Sequence, residues 1–370
     1  MKSRQPWAVI LGAVAASSLL LAGCSSSTGE KSDGLNVVAT TTQLCDYVTQ
    51  IGRAAAEKED SLSFTKVDAA GTSTTVGGDS GTRASTLNLT CLLAPNASAH
   101  SHEMTVNQMK ALSSADLFLV NGVDLEHFLD DAVSSSGFHG TMVVSSGVAS
   151  ANNAKAKDAA YTLDEGDEKV QVAPWPFPPE HGDTPEFQYD PHVWTSPANA
   201  AIQVHNIGAA LTDKQPVLKP YVTEYENRLT KLDDWALESV PKDSRVLFTS
   251  HDAFGYFSHN YDVTFIGAAL SDFNEQQDAT AEHIRAAADE VKKSGAKALF
   301  AENSNNSKSI EAIAQAAGVK AIVGDDALYG DSLGPQGSPG ETYVGSIVHN
   351  VSTLVDAWGG TPAELPAELH

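Results

Sequence analysis

Basic residues are scarce in this 370-residue chain, where 23 Lys and Arg stand against 47 Asp and Glu for a formal net charge of −24. Nucleic-acid binders depend on basic side chains that contact phosphates, so this balance argues against a nucleic-acid partner. An acidic chain suits a cationic ligand, although the same charge also serves solubility. Hydrophobic residues make up 42% and charged residues 19%. These fractions exclude a collagen-like or wholly disordered chain, and the length is sufficient for two domains.

Long apolar runs are missing except near the start of the sequence. There, Lys2 and Arg4 precede an uncharged, mostly apolar run over residues 7–23. This run is short for a membrane-spanning helix, which needs about 20 apolar residues. A basic start, a short apolar core and small residues before a cleavage point are typical of a secretory signal. We therefore expect residues 1–23 to be a signal peptide.

The apolar run ends in Leu21-Ala22-Gly23-Cys24, which closely resembles a bacterial lipobox. In a lipobox the cysteine becomes the diacylglycerol-modified first residue, whereas the alternative is a plain signal peptide with a chance cysteine. The resemblance implies a lipid on Cys24, and two acyl chains are enough for stable anchoring. We expect residues 24–34, which are small and polar, to be a flexible tether. The rest of the chain would then be held at the extracytoplasmic face of the cell membrane.

Cysteine is also scarce, since only Cys45 and Cys91 remain beside Cys24. An isolated pair lacks the Cys-x-x-Cys spacing of a thiolate metal site. In an exported protein an even number of cysteines is more often a disulfide than free thiols. We therefore predict a disulfide between Cys45 and Cys91.

Strand and helix patterns alternate along most of the sequence. Short apolar segments such as 117–120 and 245–249 predict buried strands, and segments such as 197–211 have the apolar spacing of helices. A longer helix is predicted over about 216–239. Alternation on both sides of this helix predicts an α/β fold of two lobes with largely parallel sheets. A ligand would lie beyond the carboxyl ends of the strands, in the cleft between the lobes.

Two segments interrupt this alternation. Residues 54–86 are dense in Gly, Ser, Thr and Asp, which indicates a long polar excursion and favours a hairpin. Residues 149–189 combine an acidic run with the Pro-rich stretch 174–179, which cannot form regular structure. We expect this second segment to be a solvated surface loop.

Three of the 12 histidines follow predicted strands or strand-like segments, where a site would form. They are His100, His192 and His251, and one carboxylate, Asp331, comes after the predicted strand at 321–323. Neutral imidazoles and a carboxylate are a ligand set that can close a tetrahedral zinc site. The four residues are far apart in sequence, so their spacing alone leaves open whether they meet.

Three motifs around these residues closely resemble the zinc/manganese solute-binding lipoproteins of bacterial ABC importers, the metal-binding cluster A-I type. The likeness extends, with gaps, from about residue 35 to 360, and the segments 298–302 and 341–350 also resemble that family. The motifs are Asp190-Pro191-His192-Val193-Trp194, Thr249-Ser250-His251-Asp252-Ala253-Phe254-Gly255-Tyr256-Phe257 and Leu328-Tyr329-Gly330-Asp331-Ser332-Leu333.

The resemblance implies two α/β lobes joined by one long rigid helix, with a metal site in the cleft between them. Carried onto this sequence, it predicts an N-terminal lobe over 35–213, a linking helix over 214–240, a C-terminal lobe over 241–360 and a tail over 361–370. The His-rich loop that many zinc members carry corresponds here to the acidic segment 149–189, which contains only His181.

The resemblance also implies which residues bind the metal. His192, His251 and Asp331 match ligand positions, and His100 is the best match for the first ligand. The Asp-Pro that usually precedes the first ligand is replaced here by Ser98-Ala99, and His102 is the alternative.

Glu302 and Asp252 are candidates for the side chains that orient the ligand imidazoles. The alternative for both residues is an ordinary surface carboxylate.

Three histidines and one carboxylate favour zinc, because Mn²⁺ prefers more oxygen ligands. The resemblance agrees, since manganese members tend to replace the third histidine with a carboxylate. We expect a monomeric, non-enzymatic protein that captures Zn²⁺ and delivers it to an ABC transporter permease and its ATPase. Because ligand imidazoles must be neutral, affinity should fall as pH drops through the histidine range near 6.5.

Three alternatives remain open at this point. The first is a manganese-binding member of the same family, and the second is a surface adhesin or metal-buffering lipoprotein. The third is a secreted zinc hydrolase, although the sequence has no His-Glu-x-x-His motif.

Overall fold

The computed structural model describes residues 34–78, 85–100, 102–149, 160–175, 188–243, 245–269 and 280–370. The predicted signal peptide, Cys24 and the tether up to residue 33 lie outside these residues. Across the described parts of the chain, none of the helices combines the length and apolarity that a membrane crossing requires.

The first lobe comprises the described residues before the long helix at Lys219–Ser239. Its elements are β1 (Gly34–Ala39), α1 (Thr42–Lys58), β2 (Leu62–Val67), β3 (Ser73–Gly77), β4 (Ser85–Cys91), α2 (Val106–Ser113), β5 (Leu117–Val120), α3 (Leu129–Ser136), β6 (Thr141–Val144), β7 (Thr162–Asp164) and α4 (Pro197–Lys214). The seven strands form one sheet with the order β3-β2-β4-β1-β5-β6-β7. Neighbouring strands are parallel except for the antiparallel pair β2 and β3.

Helix α5 (Lys219–Ser239) leads into the second lobe, which comprises the residues after it. Four parallel strands form the second sheet in the order β11-β10-β8-β9. The elements are β8 (Val246–Thr249), α6 (Gly255–Asn260), β9 (Thr264–Ala268), α7 (Ala281–Ser294), β10 (Ala298–Phe300), α8 (Lys308–Ala317), β11 (Lys320–Ile322) and α9 (Tyr343–Trp358). The predicted fold class, two α/β lobes with largely parallel sheets and a long helix between them, is confirmed.

Helix α5 buries the residues that its apolar spacing indicates, including Leu229 and Leu232. It packs against α1, α4 and α9, and so contacts helices of both lobes. The segment after α9 also lies on α5, where the Trp235 indole donates to the carbonyl of Ala363 at 3.0 Å. The helix lies within the range 214–240, whereas the limits assigned to the lobes, linking helix and tail stay predictions.

Helix α1 begins at a defined cap, because the Thr41 hydroxyl accepts the N–H of Leu44 at 3.2 Å. Such a cap contributes about 1 kcal/mol. The helix buries Leu44, Val48 and Ile51, at spacings of four and three, in the main core. A disulfide joins Cys45 in α1 to Cys91 at the end of β4. The start of the helix is therefore fixed to the strand that leads toward His100.

The polar segment 54–86 contributes strands to the first sheet. Its first residues extend α1 to Lys58, and β2 and β3 then form an antiparallel hairpin in which the hydroxyls of Thr65 and Thr75 lie 2.9 Å apart. Strand β2 continues the sheet in parallel beside β4, because Leu62 and Phe64 are buried. A polar hairpin is therefore present, although its inner strand is half apolar and belongs to the core.

The segment 149–189 contains more structure than a solvated loop. Within its described part, β7 extends the sheet in parallel beside β6. Tyr161 and Leu163 pack against the small core that contains Phe138, which explains why this acidic stretch still forms an edge strand. Val170 is only 3% exposed. The expectation of a loop without regular structure is therefore wrong for the part that contains β7.

Candidate metal centre

Four side chains from distant parts of the sequence meet in the cleft between the lobes. One potential ligand atom from each of His100, His192, His251 and Asp331 lies within 4.8 Å of the other three. His192, His251 and Asp331 are fully buried, and the side chain of His100 is 5% exposed. Parallel strands place their carboxyl ends at one edge of a sheet, which brings the segments after β4, β8 and β11 together.

The distances between the four groups match the edges of a small coordination polyhedron. The Nε2 atom of His192 lies 3.0 Å from Nε2 of His100 and 3.2 Å from Nε2 of His251. Oδ1 of Asp331 lies 3.3 Å from Nε2 of His192, and Oδ2 lies 3.6 Å from Nε2 of His100. Tetrahedral Zn²⁺ with bonds of 2.0–2.1 Å separates its ligand atoms by about 3.3–3.4 Å. The residues therefore fit a bound metal ion.

The electrostatics of the cluster also favour a cation. Burial alone would raise the pKa of Asp331, but the charges of His251 and His100 hold that pKa well below its usual range. The carboxylate is therefore an anion in a fully buried position, and ring nitrogens of all three histidines lie 3.3–3.6 Å from its oxygens. A buried anion is costly unless a positive charge is close.

Asp190 holds His192 in place, and our sequence reasoning did not single it out. Oδ1 of Asp190 accepts the backbone N–H of His192 at 2.9 Å and lies 2.7 Å from Nδ1 of the same ring. This contact directs Nε2 toward the other ligands. Burial lowers the pKa of His192, but the charges of Asp190 and Asp331 outweigh it and raise that pKa to about 9. The sequence signal for this role is the motif Asp190-Pro191-His192, because an Asp side chain commonly accepts the backbone N–H of the residue two positions later.

His251 is held by the two carboxyls that the sequence proposed, in different ways. Oδ1 of Asp252 lies 3.0 Å from Nδ1 of His251, on the side of the ring away from the cluster. Glu302 contacts the backbone rather than the imidazole, since its Oε1 accepts the N–H of His251 at 3.0 Å. Both carboxyls are buried, at 0% and 2% exposure, so neither is an ordinary surface group.

The protonation of the His251 region follows from its burial and charge. Burial lowers the pKa of His251, but the charges of Asp331 and Asp252 raise it well above the ordinary value. Burial raises the pKa of Glu302 to about 8. Without a cation, this part of the cluster therefore retains protons at neutral pH.

His100 occupies the cluster position, and His102 does not. The His102 ring lies against Phe128, with the ring centres 5.3 Å apart. His100 lies at the edge of the cluster, and its backbone N–H donates to the hydroxyl of Ser98 at 3.2 Å. Burial lowers the pKa of His100 to about 4, so this imidazole is neutral at physiological pH. A neutral imidazole is the form that binds a metal.

Trp175 lies beside His192, with its ring centre 5.9 Å from that of the imidazole. A backbone bridge between Pro174 and Tyr189 holds this segment beside the site. No local sequence pattern distinguishes Trp175 from the rest of the predicted surface loop.

The chain is similar to known metal-binding proteins over most of its length. The family model for ZnuA, described as zinc-uptake complex component A, periplasmic, matches residues 72–357. The manganese-binding lipoprotein MntA of Bacillus subtilis (strain 168) is 26% identical over 360 residues, which cover 94% of this chain and 98% of MntA. The zinc-binding protein TroA of Treponema pallidum (strain Nichols) is 28% identical over 276 residues, 72% of this chain and 80% of TroA.

A solved structure of the periplasmic zinc-binding protein TroA from Treponema pallidum has the same fold. Its TM-score is 0.63 at 24% sequence identity, and the match covers 87% of this chain and 98% of that chain. The family model and the curated relatives together define a metal-binding solute-binding protein of an ABC importer.

The chain belongs to the ZnuA family of periplasmic metal-binding proteins. It is therefore a solute-binding protein at the extracytoplasmic face of the membrane and not an enzyme, which excludes the hydrolase alternative.

Proposed function

We propose that the protein captures Zn²⁺ and delivers it to the permease of an ABC importer, which the importer's ATPase drives. The proposed ligands are His100, His192, His251 and Asp331. The observation that supports zinc is the convergence of three imidazole Nε2 atoms on one carboxylate. Imidazole suits Zn²⁺, whereas Mn²⁺ prefers carboxylates, carbonyls and water.

Other parts of the chain have supporting roles in this proposal. Asp190 and Asp252 orient the imidazoles of His192 and His251, and Glu302 fixes the backbone of the His251 loop. A lipid on Cys24 anchors the protein outside the membrane, so the captured ion stays near the permease. One chain supplies all four proposed ligands, so metal capture needs no second copy, and we propose that the protein acts as a monomer.

Manganese is the second candidate, and one observation favours it. Both oxygens of Asp331 face the imidazoles, since Oδ1 lies 3.6 Å from Nε2 of His251 and Oδ2 lies 3.6 Å from Nε2 of His100. A carboxylate that bound through both oxygens would offer a three-nitrogen, two-oxygen set, which is closer to the preference of Mn²⁺. The names of the relatives MntA and TroA include both metals.

Elemental analysis of the purified mature chain tests metal binding and metal choice together. The protein is incubated with equimolar Zn²⁺ and Mn²⁺, desalted and analysed, beside the variant His251→Ala. The proposal expects one zinc per wild-type chain and a large loss in the variant. One manganese per chain would favour the second candidate, and no metal in the wild type would overturn both.

Transport needs a separate experiment in cells. A strain without this gene is grown under zinc starvation, and uptake of radioactive zinc is measured beside a strain without the permease. The proposal expects the same uptake defect in both strains. Normal uptake without this protein would instead favour the adhesin or metal-buffering alternative.

A further inference from the structure

The loop that carries Asp331 belongs to the second lobe by sequence, but the first lobe holds its backbone. We refer to residues 330–333 as the Asp331 loop. The side-chain amide of Gln43 donates from Nε2 to the carbonyl of Asp331 at 3.1 Å. The hydroxyl of Thr42 accepts the N–H of Leu333 at 2.9 Å. Thr42 and Gln43 are the first two residues of helix α1 and lie about 290 positions before the Asp331 loop in the sequence.

Two further bonds from the first lobe reach the same loop. The Trp194 indole donates to the carbonyl of Gly330 at 2.8 Å, and the backbone N–H of Asn96 donates to the carbonyl of Leu333 at 3.0 Å. From the second lobe, Asn303 donates from Nδ2 to the carbonyl of Ser332 at 2.9 Å. The position of Asp331 therefore depends mainly on contacts across the cleft.

The start of α1 is a rigid support for these contacts. Thr42 and Gln43 are 7% and 2% exposed. The Thr41 cap and the disulfide from Cys45 to Cys91 fix the first turn of the helix to the first sheet. A side chain on such a support can set the position of the loop it holds.

We propose that Gln43 and Thr42 form an interlobe latch, which holds Asp331 against the three imidazoles and thereby sets how long the metal stays bound. The latch rests on the proposed metal-binding function, and both of its members are positioning residues that do not contact the ion. For Asp331 to leave the cluster with the second lobe, the bonds to Gln43 and Thr42 must break. Removing one bond therefore makes release easier.

The latch has a kinetic signature that a purely structural role would not share. A brace within one lobe would change the melting temperature of the metal-free protein and leave the release rate of the bound ion unchanged. The latch acts across the cleft, so its loss should raise the dissociation rate of Zn²⁺ and leave the association rate unchanged. Loss of a residue that supports a metal ligand typically lowers affinity about 10–100-fold.

The test uses the variant Gln43→Leu in the full mature chain, purified in detergent. Zinc-loaded protein is mixed with an excess of a fluorescent zinc chelator, which gives the dissociation rate. The change in tryptophan fluorescence on adding Zn²⁺ gives the association rate, because Trp175 and Trp194 lie beside His192. We expect dissociation about tenfold faster than in the wild type, with the association rate unchanged.

Gln215→Leu is the matched control. Gln215 is also a buried glutamine whose Nε2 donates to a backbone carbonyl, that of Thr86 at 2.8 Å, but both partners lie in the first lobe. We expect wild-type zinc release from this variant. Equal acceleration in both variants would overturn the latch, because the effect would then come from loss of any buried amide.

Thr42→Val keeps the proposal testable if Gln43→Leu does not fold, since valine retains the shape of threonine and removes the hydroxyl that accepts the N–H of Leu333. Faster release from Thr42→Val would support the latch. Wild-type release from every folded latch variant would overturn it and leave the proposed function intact. A wild-type chain that binds no zinc would overturn the proposed function itself.

Discussion

Two groups of histidine and carboxylate side chains in this protein have similar composition and different structure. In the buried centre, His100, His192 and His251 surround Asp331. In the second group, on the surface, His205 lies between two carboxylates, with Nδ1 at 3.1 Å from Glu226 and Nε2 at 3.0 Å from Asp167. The side chain of His205 is 38% exposed, and that of Asp167 is 80% exposed. Only the first group forms a candidate metal centre among the described residues.

The two groups differ in whether ring nitrogens of the histidines remain available to bind a shared metal ion. In the buried centre, His192 and His251 have a carboxylate near Nδ1, so Nε2 of each ring faces the cluster. In the surface group both ring nitrogens of His205 already contact carboxylates, and water can solvate all three groups. A metal centre therefore requires support from outside the ligand set as well as suitable ligands.

The largest expected effect comes from removing one ligand in the buried centre. Zinc sites in small domains bind with about 10–16 kcal/mol over four ligands, so His192→Ala should lose about 2.5–4 kcal/mol, roughly a hundredfold to a thousandfold in affinity. The matched variant His205→Ala should bind zinc like the wild type. Titration in competition with a chelator measures both. Equal losses in the two variants would contradict the distinction between the groups.

The next largest effect is expected from the carboxylate that contacts Nδ1 of a ligand histidine. Asp190→Asn keeps the shape of the side chain and removes its charge, so it should weaken zinc binding about 10–100-fold. Asp167→Asn makes the same change beside His205 and should have no effect on zinc. The same competition assay applies. Wild-type affinity in Asp190→Asn would show that support at Nδ1 does not matter here.

The pH dependence of zinc binding should reach higher pH than the sequence indicated. Because the pKa of His192 is raised to about 9, this ring carries a proton at neutral pH that zinc must displace. As pH falls from about 9, affinity should decrease by about tenfold per pH unit for each displaced proton. Affinities measured between pH 6 and 10 should therefore rise up to about pH 9. A plateau already at pH 7 would contradict the raised pKa.

The smallest effect concerns the stability that the surface group contributes. The pKa of His205 is raised, because contacts with Glu226 and nearby acids outweigh the lowering effect of burial. Its contribution is therefore complete below the unfolded-state value near 6.5 and is lost as pH rises through the raised pKa. Exposed ion pairs contribute about 0–1 kcal/mol, so thermal melts of His205→Ala at pH 6 should differ little from the wild type. A loss well above that range would contradict the assignment as a solvated surface group.

Local patterns in the sequence predicted the fold class and indicated four candidate residues, and the family resemblance assigned these residues to one site. Short apolar strands ending near His100, His251 and Asp331 place these residues at the edges of two parallel sheets. The motif around His192 added the fourth group, although no periodicity links the four positions. The choice of His100 over His102 came from the family resemblance, since neither histidine has a distinguishing local pattern.

Contacts between distant segments could not be predicted from local patterns. The bonds from Gln43 and Thr42 to the Asp331 loop depend on how two lobes face each other. Helix α3 begins only at Leu129, after a turn in which Val123 and Asp124 have positive φ angles of 54° and 57°. A buried carboxylate, Glu126, stabilises that turn by accepting the backbone N–H of Asn121 at 2.6 Å.

Anomalous diffraction at the zinc absorption edge, from crystals of the zinc-loaded protein, tests the central claim most directly. The proposed site predicts a peak within bonding distance of Nε2 of His100, His192 and His251 and of an oxygen of Asp331. A peak beside His205, or one that lacks any of the three histidines as ligands, would contradict it.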